Sequence, residues 1–243
     1  MDLKGNYGWD APGVIRLLFL VGILSVGAGG VLFALFERTA LGLAWFFLWM
    51  TTIGAFICFV EAYLMIRSSK KGKFQVIDRL LDDLKLKGDA QVLDVGCGRG
   101  ALLISAAKRL PEGKVTGIDI WSEKDQSGNS TFHTMQNIHL NGVDGHADID
   151  TADARNLPFP DATFDAIVSC LMLHNLPSAR EREKALAEMV RVLKPGGKIG
   201  LIDFRHAGEY THSLERKGFR CHHHGPYWRM FPPATIVIAR APH

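Results

Sequence analysis

The sequence predicts an α/β domain carried behind a pair of apolar helices, and three observations point to it. Asp94-Val95-Gly96-Cys97-Gly98-Arg99-Gly100 joins an apolar run, Ala90 to Leu93, to a helix-like segment, Ala101 to Leu110. Further apolar runs closed by a polar residue follow downstream, as in Val115 to Ile118 before Asp119. Upstream, Leu17 to Phe36 and Ala40 to Val60 hold no charged residue over 20 and 21 positions.

Twenty helical residues cover about 30 Å, the thickness of a bilayer core. Only Glu37, Arg38 and Thr39 separate the two stretches, enough for a tight helical hairpin. Neither stretch has the polar face of a soluble core helix. A cleavable leader would have a shorter apolar region, and here a second span follows at once. The sequence thus divides into a membrane anchor, residues 1–68, with transmembrane helices over about 14–36 and 40–66, and a second domain, residues 69–243. Lys4 and Arg16 precede the first span, and Arg67, Lys70, Lys71 and Lys73 follow the second. Basic residues favour the cytoplasmic side, which puts both termini and the second domain there. Trp45 and Trp49 suit an interface near the start of the second span, and Glu61 its far end. Ser25 with Gly29, and Gly30 with Ala34, permit close helix contact, within the hairpin or in a homodimer. The cluster Arg67 to Lys73 is expected at anionic headgroups. Beyond it, Phe74, Ile77, Leu80, Leu81 and Leu84 have helical periodicity and suit a helix covering the sheet.

A strand that turns into a helix through glycines lets backbone approach a ligand closely. The spacing of Gly96, Gly98 and Ala101 also fits a dinucleotide fingerprint, so an NAD-dependent oxidoreductase is an alternative. Asp94 separates the two. Its carboxylate would face a pyrophosphate, but it suits a ligand bearing an ammonium group, such as S-adenosylmethionine.

Several landmarks fall in order: the glycine loop, Asp119, Asp153-Ala154 after a strand ending near Thr151, Phe164-Asp165-Ala166-Ile167-Val168-Ser169, and Leu193-Lys194-Pro195-Gly196-Gly197-Lys198. From Phe74 onward this resembles a class I S-adenosylmethionine-dependent methyltransferase, of the small-molecule branch that includes ubiquinone-type and arsenite enzymes. The resemblance implies a doubly wound, seven-stranded Rossmann-like α/β sheet with S-adenosylmethionine at the carboxyl ends of the first strands. It assigns to the cofactor Asp94, Gly96, Cys97, Gly98, Gly100, Asp119, Ile120, Trp121, Asp153, Ala154, Ser169 and Cys170. Asp119 would accept from ribose hydroxyls, its other reading being a capping or turn aspartate. Asp153 would accept from the adenine amino group and Ala154 supply a backbone contact; a plain loop aspartate is the other reading. Pro195-Gly196-Gly197 reads as a turn.

Methyl transfer from a sulfonium is an in-line displacement on an activated donor, so orientation and exclusion of water dominate, with about 7–11 kcal/mol available from orientation. The family places the segment after the fourth strand at the methyl group, here Ser169-Cys170-Leu171-Met172-Leu173-His174-Asn175. It lacks the Asn/Asp-Pro-Pro-aromatic signature of enzymes acting on exocyclic amino groups. His174 is the candidate general base, since imidazole titrates near neutrality. It could instead shape the cofactor pocket or cap the helix near Ser178. His174, Asn175, Tyr210 and Trp228 are assigned to the acceptor, core packing being the other reading for the aromatic residues. The polar loop Trp121 to Ser130 reads as a lid or a flexible connector. His222-His223-His224 would alternate across a strand, so no metal site is expected. Nor do the 4 cysteines, Cys58, Cys97, Cys170 and Cys221, have metal-ligand spacing. Free thiols are expected of them, and arsenite chemistry would need thiolates that Cys170 and Cys221 alone do not supply. A net charge of +3 without a basic stripe weighs against nucleic acid as a partner. The expected function is membrane-bound methylation of a small acceptor that is apolar or membrane-partitioned: quinone-like, lipid or thiol. A non-catalytic S-adenosylmethionine-binding module is the alternative.

Overall fold

The first helix, α1 (Pro12–Phe36), begins on a proline, whose fixed φ and missing N–H suit a first helical turn. After a short turn, α2 (Leu41–Arg67) runs back along it. Gly22 and Gly29 are buried where the helices meet, and a methyl on either would overlap Phe59 or Thr51. The pair Ser25 and Gly29 thus turns toward the hairpin contact, whereas Gly30 faces outward. Elsewhere the helices expose large apolar side chains, Leu24, Leu35 and Phe56 each to more than half. Both are long and apolar enough to cross a membrane. These coordinates are a computed structural model, which describes residues 3–242.

The second helix does not stop at the expected border. It passes through a π-helical turn, Ser68–Gly72, directly into α3 (Lys73–Leu84), so Leu41–Leu84 is one run of 44 residues. The border expected at position 68 therefore falls inside a continuous helical run. Ile77, Leu80, Leu81 and Leu84 of α3 are buried against the domain, as their spacing predicts, Phe74 is only half-buried, and Val76 joins the buried face unannounced. Gly200 lets them close in, because a Cβ there would stand 2.9 Å from methyls of Leu80 and Leu84. Arg67, Lys70 and Lys71 are exposed. Lys73 is not, contrary to the headgroup assignment: its side chain is buried and its ammonium bonds both oxygens of Asp10, at 2.8 and 3.0 Å.

The remaining elements are β1 (Gln91–Val95), α4 (Ala101–Ala107), β2 (Lys114–Asp119), α5 (Thr131–Leu140), β3 (Ala147–Thr151), β4 (Phe164–Cys170), α6 (Ala179–Val192), β5 (Leu193–Asp203), α7 (Ala207–Arg216), β6 (Arg220–Tyr227) and β7 (Ala234–Arg240). The sheet order is β3-β2-β1-β4-β5-β7-β6, with β7 antiparallel to both its neighbours and the other pairings parallel. This is the doubly wound seven-stranded sheet that the sequence predicts. One apolar core joins α3 and α4 to the sheet, and a second joins α6 and α7 to it. Ser130 and Ser178 cap α5 and α6 by accepting from His133 and Glu181 N–H groups. The expected turn at Pro195-Gly196-Gly197 is a bulge: pairing with β4 jumps from Leu193 to Lys198.

Residues 3–11, grouped with the anchor by sequence, lie on the sheet domain instead. Asn137 of α5 clasps Asn6, accepting from its N–H at 3.1 Å and donating to its carbonyl at 2.9 Å. Tyr7 is buried edge-on to Phe74, with ring centroids 5.3 Å apart. Trp9 and Ser127 exchange hydrogen bonds, and Ala11 N–H reaches the Asp125 carbonyl at 2.9 Å. The segment makes these polar contacts with its own backbone N–H and carbonyl groups, which no periodicity announces.

Candidate active site

After β1, Gly96, Gly98 and Gly100 all take positive φ, at 75°, 51° and 83°. At Gly96 the requirement is also one of space, since a methyl would run into Met172. The turn is held from β2: Gly96 and Cys97 N–H groups donate to the Ile118 carbonyl at 2.8 and 3.0 Å. Asp119 then organises the neighbourhood. Its carboxylate accepts from Gly98 N–H at 2.8 Å, Trp121 N–H at 2.6 Å and the Asn129 amide at 3.1 Å. The loop of residues 121–130 folds back over the glycine turn. Gln126 fastens it, accepting from Arg99 N–H at 2.9 Å and donating to the Tyr7 carbonyl at 3.1 Å.

Asp94 is fully buried under this turn, and neither of its carboxylate oxygens has a hydrogen-bond partner. Burial, reinforced by the Asp119 carboxylate, pushes its pKa up to about 8. A buried carboxylate left without partners, lining a cavity, is suited to an incoming cation. The ammonium of S-adenosylmethionine meets that requirement, whereas a pyrophosphate would raise the penalty further. Asp153 also lines the cavity, with its pKa lowered chiefly by hydrogen bonds from Arg155. Ile120, 64% exposed, offers an apolar shelf between Asp119 and Asp153. The residues present thus fit the cofactor: a carboxylate for its ammonium, Asp119 beside the turn, and Ile120, Asp153 and Ala154 for the base.

Gly96, Cys97, Gly98, Asp119, Ala154, Cys170, His174 and Asn175 line the same cavity, of about 860 Å³. Five assigned residues stand apart from it. Trp121 turns its indole N–H to Thr151 Oγ1 at 2.8 Å, and Ser169 Oγ ties β4 to the Val95 carbonyl at 2.7 Å. Gly100 caps α4. Tyr210 is wholly buried, with its hydroxyl donating to Asp203 Oδ2 at 3.1 Å. Trp228 is 77% exposed in the β6–β7 loop. Tyr210 therefore supports the site from behind and does not face an acceptor.

His174 lies on a 3₁₀ turn, Leu173–Asn175, after β4. Its Nδ1 approaches Asp203 Oδ1 to 2.8 Å, and its backbone N–H donates to Asp203 Oδ2 at 3.2 Å. The ring contact is an ion-pair approach without good hydrogen-bond alignment. Asp203 is buried at the carboxyl end of β5 and also accepts from Tyr210. Burial, then the Asp203 carboxylate, drives the Tyr210 phenol well above its ordinary range. The Phe204 ring packs 4.5 Å from the imidazole. Asp203 was legible only by analogy, as an acid closing Leu201-Ile202 just as Asp119 closes Gly117-Ile118. Arg155 and Gln126 carried no signal beyond being polar residues in loops.

Residues 93–201 match the family described as a methyltransferase domain. Among curated relatives, 27-O-demethylrifamycin SV methyltransferase of Amycolatopsis mediterranei is 34% identical over 54% of this chain and 44% of its own length. Demethylmenaquinone methyltransferase of Staphylococcus aureus is 37% identical over 51% of this chain and 47% of its own. Sterol 4-C-methyltransferase of Caenorhabditis elegans is 30% identical over 61% and 41%. The chain thus spans less than half the length of these relatives. Among solved structures, an S-adenosylmethionine-dependent methyltransferase from Aquifex aeolicus superposes with TM-score 0.58 at 22% identity, over 74% of this chain and 97% of that one. The cyclase SpnF superposes with TM-score 0.60 at 22% identity, over 72% and 83%. At that identity the likeness is one of fold. Residues 93–201 thus match a methyltransferase domain, and the sheet built around them has the fold of S-adenosylmethionine-dependent methyltransferases.

Proposed function

We propose that this chain is an integral-membrane enzyme that transfers the methyl group of S-adenosylmethionine to a small acceptor, apolar or membrane-partitioned, of quinone-like, lipid or thiol type. The observation that carries this reading is that Asp94, without a partner, and His174, backed by Asp203, open into one cavity. The apolar menaquinone and sterol in the relatives' names support the acceptor class. The exposed apolar surface of α1 and α2 supports insertion in a bilayer. Residues 3–11 pack on the sheet domain, so both lie at one end of the hairpin, and the basic residues flanking it favour the cytoplasm for that end.

S-adenosylmethionine, when bound, supplies a methyl group already activated on a sulfonium. The chain's own part is to hold the acceptor in line, exclude water and take the acceptor's proton. Asp203 faces Nδ1 of His174, which leaves Nε2 to receive that proton. The same carboxylate stabilises the resulting imidazolium, and Tyr210 fixes it in place. Residues 121–130, strapped by residues 7–11, cover the cofactor side.

Methyl-labelled S-adenosylmethionine given to the detergent-purified chain, with lipid and aqueous metabolite fractions of the host, tests this reading. Label should enter a lipid-fraction product and be lost with Asp119→Ala. Label only in the aqueous fraction would overturn the acceptor class. Cofactor binding with no transfer to either fraction would favour a non-catalytic binding module.

A further inference from the structure

The cavity does not end at the methyl site. Beyond Cys170 and His174 it passes the Asp10–Lys73 ion pair and reaches the ends of α1 and α2 nearest the sheet domain. Val14 and Leu18, one turn apart, line it from α1, and Glu61 and Met65, also one turn apart, from α2. Phe231 of the β6–β7 loop closes the side, its N–H donating to Ser68 Oγ at 2.9 Å. Asp10, Lys73 and Cys170, the last at the close of β4, line this one cavity together.

Access differs on the two sides. Over the cofactor residues, the 121–130 loop and residues 7–11 are stitched together by the Gln126–Tyr7, Ser127–Trp9 and Ala11–Asp125 hydrogen bonds. Toward the helices the walls are mainly apolar, and Val14 is 48% exposed there. Exposed Arg67, Lys70 and Lys71 are chain neighbours of Ser68 and Ser69, which line the cavity, and such basic residues suit phosphate headgroups.

From this geometry, and resting on the methyltransferase reading above, we propose that the mouth between α1 and α2 is a lateral portal for the acceptor. The occupant is a membrane-resident amphiphile. Its hydroxyl or thiol head reaches His174, and its apolar body stays against Val14, Leu18, Met65 and Phe231. A volume of about 860 Å³ is near the upper end of the roughly 300–1,000 Å³ usual for small-molecule pockets, as a cavity holding cofactor and acceptor head together requires.

The test uses the full chain in phosphatidylethanolamine–phosphatidylglycerol vesicles carrying a trace of a long-chain fatty alcohol with a photoreactive diazirine on its chain. Illumination should label the peptide containing Phe231 as well as the outer faces of the helices. Gly13 lines the mouth with nothing within 4 Å of where a Cβ would stand, so Gly13→Trp should fill the opening without displacing protein. It should lower the Phe231 label about tenfold. Gly27→Trp, equally unhindered but elsewhere on α1, should leave that label unchanged. Leu18→Trp is the second blocking variant if the first does not fold. Label confined to outward residues such as Leu24 and Phe56, or a Phe231 label indifferent to both blocking variants, would overturn the portal. Calorimetric titration of S-adenosylmethionine into the same samples separates the two readings. Absent cofactor binding would sink the methyltransferase reading, whereas intact binding without portal labelling would sink the portal alone.

Discussion

Asp94 carries the largest stake of any single side chain at this site. Its folded pKa of about 8 exceeds the ordinary 3.8, so the ligand-free fold retains a proton that the unfolded chain releases. Stability contributed by that proton is present below about pH 4 and is lost as pH rises toward about 8. Asp94→Asn should flatten this slope and raise the ligand-free melting temperature at neutral pH. The same change should weaken S-adenosylmethionine binding by roughly 10- to 100-fold, the scale of one lost hydrogen bond to a charged group. Melting curves from pH 4 to 8 and calorimetry would check both halves. His174→Ala should lower kcat by about 10²–10⁴-fold with cofactor affinity unchanged. Asp203→Asn should also lower kcat, and an unaltered kcat-versus-pH profile in either variant would remove His174 from proton transfer. Asp94 and His174 were legible because each sits in a motif with a chemical rationale. Asp203 was harder to see, because a lone acid ending a strand shows its partner only once β4 and β5 lie side by side.

At the scale of elements, β1, β2 and α3 followed from apolar runs and helical spacing and β3 to β5 from the family resemblance, whereas α5, α7 and β7 were not anticipated. Nor were the π turn and the packing of residues 3–11. A π turn is the insertion of one residue into a helix, and Ser68-Ser69-Lys70-Lys71-Gly72 has no pattern that separates it from a polar linker. Gly72 is needed because the Arg229 backbone lies where a Cβ would go. Gly72→Ala should therefore displace the β6–β7 loop and destabilise the domain by about 1–3 kcal/mol, measured by denaturant unfolding in detergent. Tyr7→Ala removes a buried ring from beside Phe74 and a bond accepted from Asn141 at 3.1 Å. It should destabilise by about 3 kcal/mol and, by loosening Gln126, raise the Kd for S-adenosylmethionine.

For the whole molecule, the proposed topology makes a simple forecast. Thr39→Cys should react with a membrane-impermeant maleimide added outside intact cells, and Lys70→Cys only after permeabilisation. The reverse pattern would invert the orientation. Two helices long and apolar enough to cross a membrane were legible from charge-free length alone, yet the way they join the sheet domain was not, because continuity of a helix depends on tertiary support. That continuity has a mechanical consequence. The run Leu41–Leu84 is 44 residues of continuous helical backbone whose pitch changes only at the π turn Ser68–Gly72, the place where such a helix bends. In the proposed bilayer setting, thickness and tension then act on the sheet domain through that turn and not through a rigid rod.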